Sequence, residues 1–343
     1  MNTMNSVIPL QNVDTTERKK RKRKKKAIRI LITTVLIIYT FVTITPFYFL
    51  FVRSFVGTKD STQLHLWIPE AEEFNMNYKY GNMATYYNLD LEAFKVEMGL
   101  EGYINPNLTM EKIAEKYDVP EEKIADYLRN FIRFNGFITI WNAGFLRAFF
   151  NTMLITIGTL SLGSILTIMT GSVLAKFRKK WHQSIYNLYI FSMIIPGAVI
   201  LLPQYTIITR YLGLYDNYMS LILLGAQGGA IPIMIFTAAI AAIPNELRES
   251  VEIDGGSRFT YLYRIILPNM KTPFASYVAI ILPNVWNSVL NGILYLKQDH
   301  QPITALISSL NGTYTTNYQA MYSGLLISIV PLLIIYLVFQ NLF

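Results

Sequence analysis

The sequence predicts an all-α integral membrane protein with six transmembrane helices, on its composition and on the lengths of its apolar runs. Its 343 residues are 52% hydrophobic and 15% charged, with a mean hydropathy of +0.32. That is too apolar, and too poor in charge, for a soluble chain of this size. Crossing roughly 30 Å of hydrocarbon takes about 20 apolar residues. Runs of that length lie near residues 28–52, 149–175, 184–207, 217–243, 274–296 and 320–342. The first is far longer than the core of a signal peptide and no small-x-small cleavage site follows it, so it is expected to stay in the mature protein.

Orientation follows from positive charge. Arg18 to Lys26 is an unbroken run of nine basic residues just before the first span, and such clusters stay on the cytoplasmic side. Alternation from there places Lys176, Arg178, Lys179 and Lys180, the polar island 244–272 and the C-terminus inside as well. The run accounts for more than the whole formal charge of +8. It reads as an anchor facing anionic membrane lipids, with no nucleic acid as partner.

Residues 1–26 are therefore a basic cytoplasmic segment and 27–55 the first transmembrane helix. Residues 56–147 form a polar region that this topology places outside. Within it, Leu108 to Phe131 predicts two short amphipathic helices. Thr109 can cap the first, and Asp118 with Pro120 can start the second. Ile113, Ala114 and Tyr117 are placed to face Ile124, Leu128 and Phe131 in a miniature core. The pattern resembles a DNA-reading helix-turn-helix, but an external location excludes DNA as a ligand. Cysteine is absent, so there is no disulfide framework or thiolate metal site. His65, His182 and His300 are scattered, structural or solvated, and no metal site is expected.

The spans carry no Asp, Glu, Lys, Arg or His in their central portions, whereas ion-coupled carriers bury ionisable groups there. No Gly-x-x-x-x-Gly-Lys-Ser/Thr phosphate loop occurs, so energy must arrive from another subunit. In the fifth span, Asn284, Trp286, Asn287 and Asn291 offer amides and an indole, with the three asparagines at i, i+3 and i+7 on one helical face. Amides bond sugar hydroxyls and aromatic rings stack on sugar faces, so this face suits a neutral, hydroxyl-rich solute. Polar residues also glue membrane helices together, and both readings stand. Gly163, Gly171, Gly225, Gly228 and Gly229 read as close helix packing.

The polar island is the most specific stretch. Pro244 suits a first helical turn, and Glu246 and Glu249 are expected in that turn, where the helix dipole favours negative charge. Asp254-Gly255-Gly256 is a turn signal, Ser257 can cap a second helix, and Pro268 marks its end. Pro244, Glu246, Leu247, Glu249, Asp254, Gly255, Leu267 and Pro268 fall in register with the signature loop of the permease subunits of binding-protein-dependent ABC importers, which this chain resembles. Ser250, Val251 and Gly256 stand where that family usually has alanine.

The resemblance extends through Asn151-Thr152, Ile195-Pro196, Leu202 to Tyr205, Leu212 to Leu214, Trp286-Asn287, Pro331 and Gln340. Together these are similar to the carbohydrate branch, in particular the second permease type of maltose uptake. It implies a type I permease core over residues 148–343, with 244–272 as the coupling loop and 88–140 as an extracytoplasmic insertion. It also implies a bacterial plasma membrane, multi-pass, with both termini cytoplasmic. Expected partners are a homologous second permease, a cytoplasmic ABC ATPase dimer and an extracytoplasmic solute-binding protein. The chain itself is expected to be no enzyme and to hold no cofactor, ATP and Mg belonging to the ATPase. Glu249 is expected to anchor the coupling helix, Gly255 to permit its turn and Asp254 to support it. Many relatives continue into a short basic tail where this sequence ends at Gln340 to Phe343, so no tail-mediated contact is assumed. Permeases for another solute class and a non-transporting sensor or assembly protein remain the alternatives.

Overall fold

The computed structural model describes residues 13–56, 66–67, 76–87, 89–176, 180–311 and 317–340. Among them all regular structure is helical, apart from isolated bridge residues such as the Lys79–Thr109 pair. His65, Arg178 and Lys179 lie outside the described residues.

Three apolar runs are uninterrupted helices: α1 (Val13–Ser54), α6 (Phe145–Lys176) and α17 (Tyr318–Phe339). The other three are bent, and counting each bent pair as one span gives six. The third run, expected as one helix over 184–207, is α7 (Lys180–Ser192) and α8 (Gly197–Thr206), whose axes differ by 106°. Pro196 lies at the break: it lacks an N–H, and its ring keeps Ile195 out of helical geometry. The fourth run divides into α9 (Tyr218–Ala226) and α10 (Ala230–Ala241), bent by 52°. Gly228 and Gly229 take positive φ at this break. Both shape the break, and Gly228 also serves close packing as expected, since a Cβ there would come within 2.9 Å of Thr167 Oγ1 on α6.

The fifth run also departs from its expectation. A helix over 274–296 would be continuous, but α14 (Lys271–Trp286) stops at Asn287 and α15 (Val289–Tyr295) restarts beyond Ser288. Toward its N-terminus α14 is bent by 70° from the second half of the polar island.

At the centre, α6 lies against α9, α10 and α14. The close approach rests on glycines: a Cβ on Gly171 would come within 3.1 Å of the Thr237 amide nitrogen, and one on Gly225 within 2.5 Å of the Thr159 methyl. Phe236, Tyr277, Leu282 and Trp286 fill the core beside them. By contrast Leu31, Ile37 and Phe41 of α1 are well exposed, as expected of a face turned to lipid or to another subunit.

A small helical domain precedes α6. It comprises α2 (Tyr80–Tyr87), α3 (Leu91–Met98), α4 (Met110–Lys116) and the first half of α5 (Glu121–Asn142). Ile113, Ala114, Ile124 and Leu128 are buried together, with Tyr117 and Phe131 packed against them. The expected miniature core forms, and it also takes in Tyr80, Met83 and Phe94. The packed unit takes in residues from Met76 onward. Thr109 caps α4 by accepting the Lys112 N–H at 3.3 Å. Asp118 does not cap: it takes φ +53 in the turn, and Pro120 precedes α5 without a side-chain cap. Burial, reinforced by Glu92, pushes the Tyr80 phenol up to about 12, and its hydroxyl donates to the Leu91 carbonyl at 3.1 Å.

The second expected short helix is 22 residues long. Its far half leaves the small domain and packs on α17 and α1. Gln319 donates to the carbonyls of Ile132 and Arg133 at 2.6 and 3.2 Å, and Ser323 donates to the Ser54 carbonyl at 3.1 Å.

Candidate functional site

The polar island folds as two helices around a glycine turn. Pro244 precedes α11 (Asn245–Ile253), whose first turn holds Glu246. Glu249 falls one turn later, because the helix starts only at Asn245, so it gains little from the helix dipole there. Both carboxylates are exposed. Asp254 is the C-cap, and Gly255 takes φ +76. The Gly255 N–H reaches the Glu252 carbonyl at 3.1 Å and the Gly256 N–H reaches that of Val251 at 2.8 Å. These two bonds make the Schellman pattern, which satisfies the last carbonyls of a helix. At Gly256 a Cβ would lie 2.6 Å from Val251 Cγ1. The alanine usual in the resembled family would therefore crowd this particular turn.

Ser257 caps the next helix, α12 (Arg258–Tyr261), through a reciprocal box with Thr260. A π turn over Leu262–Ile266 follows, then α13 (Leu267–Asn269). Pro268 therefore does not end the second helix. It sits inside the last turn, directly after a π turn that re-pitches a backbone lacking one donor. The Asn269 side chain donates to the Ile265 carbonyl at 2.6 Å. Lys176, at the end of α6, donates to the Ile243 carbonyl at 2.6 Å and to Asn245 Oδ1 at 3.2 Å. That fixes the start of the island to the core. Ile253, Phe259 and Tyr263 protrude from it, each at least 74% exposed.

A second feature is a cavity of about 200 Å³ where α6, α8, α9, α14 and α15 meet. Its polar lining comprises Thr152, Gln204, Gln227, Asn284, Ser288 and Asn291. The break after Asn287 re-aims the predicted asparagine face: Asn284 and Asn291 reach the cavity, and Asn287 is exposed elsewhere. Trp286 does not line it. Its indole is 1% exposed, donates to the Ser328 carbonyl at 3.2 Å and meets Phe149 edge-on. Thr152 positions the wall, donating to Ala148 and accepting the Ile303 N–H at 2.8 Å each. Asn284 donates to the Ile280 carbonyl at 2.6 Å, leaving its oxygen as an acceptor.

Two connections near this cavity are tied to each other and to α6. Asn151 donates to the carbonyls of Asp299 and Gln301 at 3.0 and 3.1 Å, and accepts from the Tyr218 hydroxyl at 2.7 Å. Asp216 accepts from the Lys297 N–H at 2.9 Å and from His300 Nδ1 at 2.8 Å. These two bonds, His300 first, hold its carboxyl below the usual carboxylate range. Sequence reasoning missed Gln204, Gln227 and this network. Gln204 and Gln227 stand out as isolated amides in apolar runs, and only the fold shows that they share a wall.

Residues 163–343, over half the chain, match the family described as "Binding-protein-dependent transport system inner membrane component". The arabinooligosaccharides transport system permease protein AraQ of Bacillus subtilis is 26% identical over 256 residues, covering 74% of this chain and 88% of AraQ. The lactose transport system permease protein LacG of Rhizobium radiobacter is 25% identical over 196 residues, 57% of this chain and 71% of LacG. Among solved structures, a chain of a bacterial ABC transporter involved in the import of the acidic polysaccharide alginate shares the fold. It superposes with a TM-score of 0.60 at 16% identity, over 93% of this chain and 97% of its own. The signature island, the six apolar runs and these likenesses agree: the chain belongs to the family of binding-protein-dependent transport system inner membrane components, the permeases of ABC importers.

Proposed function

We propose that this permease carries a neutral sugar or oligosaccharide. The carrying observation is the cavity beside α6: its lining holds amides and hydroxyls and no ionisable side chain. Amides offer both donors and acceptors to hydroxyl groups, and a neutral wall spends no desolvation on an unpaired charge. At about 200 Å³ it falls below the roughly 300–1,000 Å³ of a complete ligand pocket. It is one wall of a path that a homologous permease completes. The sugar-named relatives AraQ and LacG support this substrate class.

In this reading the N- and C-termini and the island face the cytoplasm, and ATP with Mg is held by a separate ATPase dimer. The exposed tip of α11, with Glu246 and Glu249, docks in that ATPase; Asp254, Gly255 and Gly256 set the turn, and Pro268 the return. ATP-driven closure moves the island and rocks the spans between inward-open and outward-open states through differential contacts in the two. The small domain, from Met76 through the first half of α5, faces outward and receives the solute-binding protein or the partner permease.

The test is copurification from the native membrane, then ATP hydrolysis measured with candidate oligosaccharides and the binding protein. A second permease and an ATPase should be recovered, with turnover stimulated by one loaded binding protein. Recovery of the chain with no nucleotide-hydrolysing partner overturns the proposal in favour of a sensor or assembly role.

A further inference from the structure

We infer that the connection between α8 and α9 and the connection between α15 and α16 (Ile303–Ser309) form a latch, which holds two cavity walls together at one rim and releases them for solute entry. The cavity has two walls beside α6. Gln204 and Leu221 stand on α8 and α9, whereas Asn284 and Asn291 stand on α14 and α15. Each connection ends one wall, so a bond between the connections ties wall to wall. Thr152 and Pro302, which line the cavity, directly follow Asn151 and Gln301 of the network in the chain. The latch therefore adjoins the cavity itself.

Closure carries costs of its own. Asp216 is held at φ +57, a region strained for an L-residue with a Cβ. Beside it, Tyr295 and Leu296 pack against Leu221 and Ile208, and the Tyr295 hydroxyl is buried with no hydrogen-bond partner among the described residues. An unbonded buried hydroxyl disfavours the contact that buries it. The α8 end also runs into a π turn over Ile207–Tyr211, an irregular pitch common at functional sites. Against these stand the bonds of the Asp216 carboxylate to the Lys297 N–H and His300 Nδ1, a looser pairing with Lys297 Nζ at 3.8 Å, and the Tyr218 hydroxyl on Asn151. The Tyr218 ring also meets the His300 ring edge-on at 5.2 Å. The Asp216 and His300 side chains are 20% and 44% exposed, so water can take over their bonds when the connections part. A contact strained when closed and hydrated when open is suited to switching between two arrangements. The latch is read from this geometry, and its role in solute entry rests on the cavity being part of the path, as proposed above.

The test is the accessibility of one cavity residue in the chain with whatever subunits purify with it, reconstituted in sealed vesicles. The chain has no cysteine, so Ser288→Cys supplies its single thiol. Reaction with a small, impermeant, charged methanethiosulfonate is followed by the intact mass of this chain. The reagent is added to each face in turn, so an inverted orientation changes the face and leaves the comparison intact. Labelling should be slow with the latch intact. His300→Ala should speed it about fivefold, the population change expected from one lost hydrogen bond. His300→Gln, which can still donate to Asp216, should restore the slow rate. Asp216→Ala should label faster than Asp216→Gly, because both lose the carboxylate but glycine relieves the strain of the closed turn. Equal labelling with and without Asp216→Ala and His300→Ala overturns the latch. Equal acceleration at Ser328→Cys, buried in α17, also overturns it by showing general loosening. Faster labelling at Ser288→Cys with unaltered solute-stimulated ATP hydrolysis would keep the latch and overturn the cavity as the solute's path.

Discussion

Replacing Gly255 by valine isolates the turn of the island from everything around it. A Cβ at this position meets nothing within 4 Å, so the first side-chain atom displaces no neighbour. The main cost is the backbone: φ is +76, and an L-residue held there loses about 1–2 kcal/mol. The two Schellman bonds, at 3.1 and 2.8 Å, break if the turn relaxes instead. The strain is small beside the roughly 5–15 kcal/mol that holds a protein folded, yet it shifts the turn equilibrium by a factor of about 5–30. The protein should therefore reach the membrane and melt nearly normally, while ATP hydrolysed per solute imported rises severalfold in sealed vesicles. Gly255→Asn adds a side chain but tolerates the left-handed region, so it should retain most of the coupling. Unchanged uptake with valine would refute the coupling role, and equal damage by asparagine and valine would refute the conformational argument.

Gly136→Leu should lower the melting temperature by the equivalent of about 1–3 kcal/mol of overpacking, because a Cβ there would lie 2.7 Å from the Gln319 carbonyl oxygen. An unshifted melt would show that α5 and α17 separate freely. Trp286→Phe removes the bond to Ser328 and should cost about 1–3 kcal/mol of stability, with solute affinity unchanged because the ring does not line the cavity. Asn284→Leu should do the reverse, weakening solute-stimulated turnover at a normal melting temperature. The Asp216 carboxyl is held below its unfolded value, so its contribution is fully present above about pH 4 and is lost as pH falls through the lowered folded value. Asp216→Asn should flatten that acid limb of the melting curve, and a limb identical to the parent's would remove Asp216 from the account.

Hydropathy alone makes the six apolar runs legible, because length and polarity decide whether a segment suits a bilayer. Capping chemistry is equally local, and Thr109 and Ser257 cap the helices for which their sequence neighbours qualify them. What the chain does not display is angle. Pro196 and Gly228-Gly229 mark where a helix cannot continue, but the turns of 106° and 52° depend on what each half packs against. The asparagine face illustrates the limit: the i, i+3, i+7 spacing presumes an unbroken helix, and the break after Asn287 sends one of the three away. Asp118 shows a competing use of one residue type, since aspartate serves either as a cap or at positive φ, and here the turn takes it. The cavity wall joins residues from Thr152 to Asn291, a tertiary fact with no local signal. The long reach of α5 was hidden for a similar reason: residues 131–142 are largely apolar, but only the fold shows that they continue the helix onto α17, where Gln319 holds it.

That reach gives α5 a mechanical character. At about 1.5 Å per residue, its 22 residues form a rod about 33 Å long. One end is embedded in the small domain through Ile124 and Leu128, the middle is bolted to α17 by Gln319, and the far end packs on α17 through Gly136 and Ile140. A flexible tether would let a load on the small domain dissipate as tumbling. A clamped rod converts the same load into torque on α17 and, through the Ser323 bond to Ser54, on α1. The first and last spans form the mounting through which force on that domain enters the bundle.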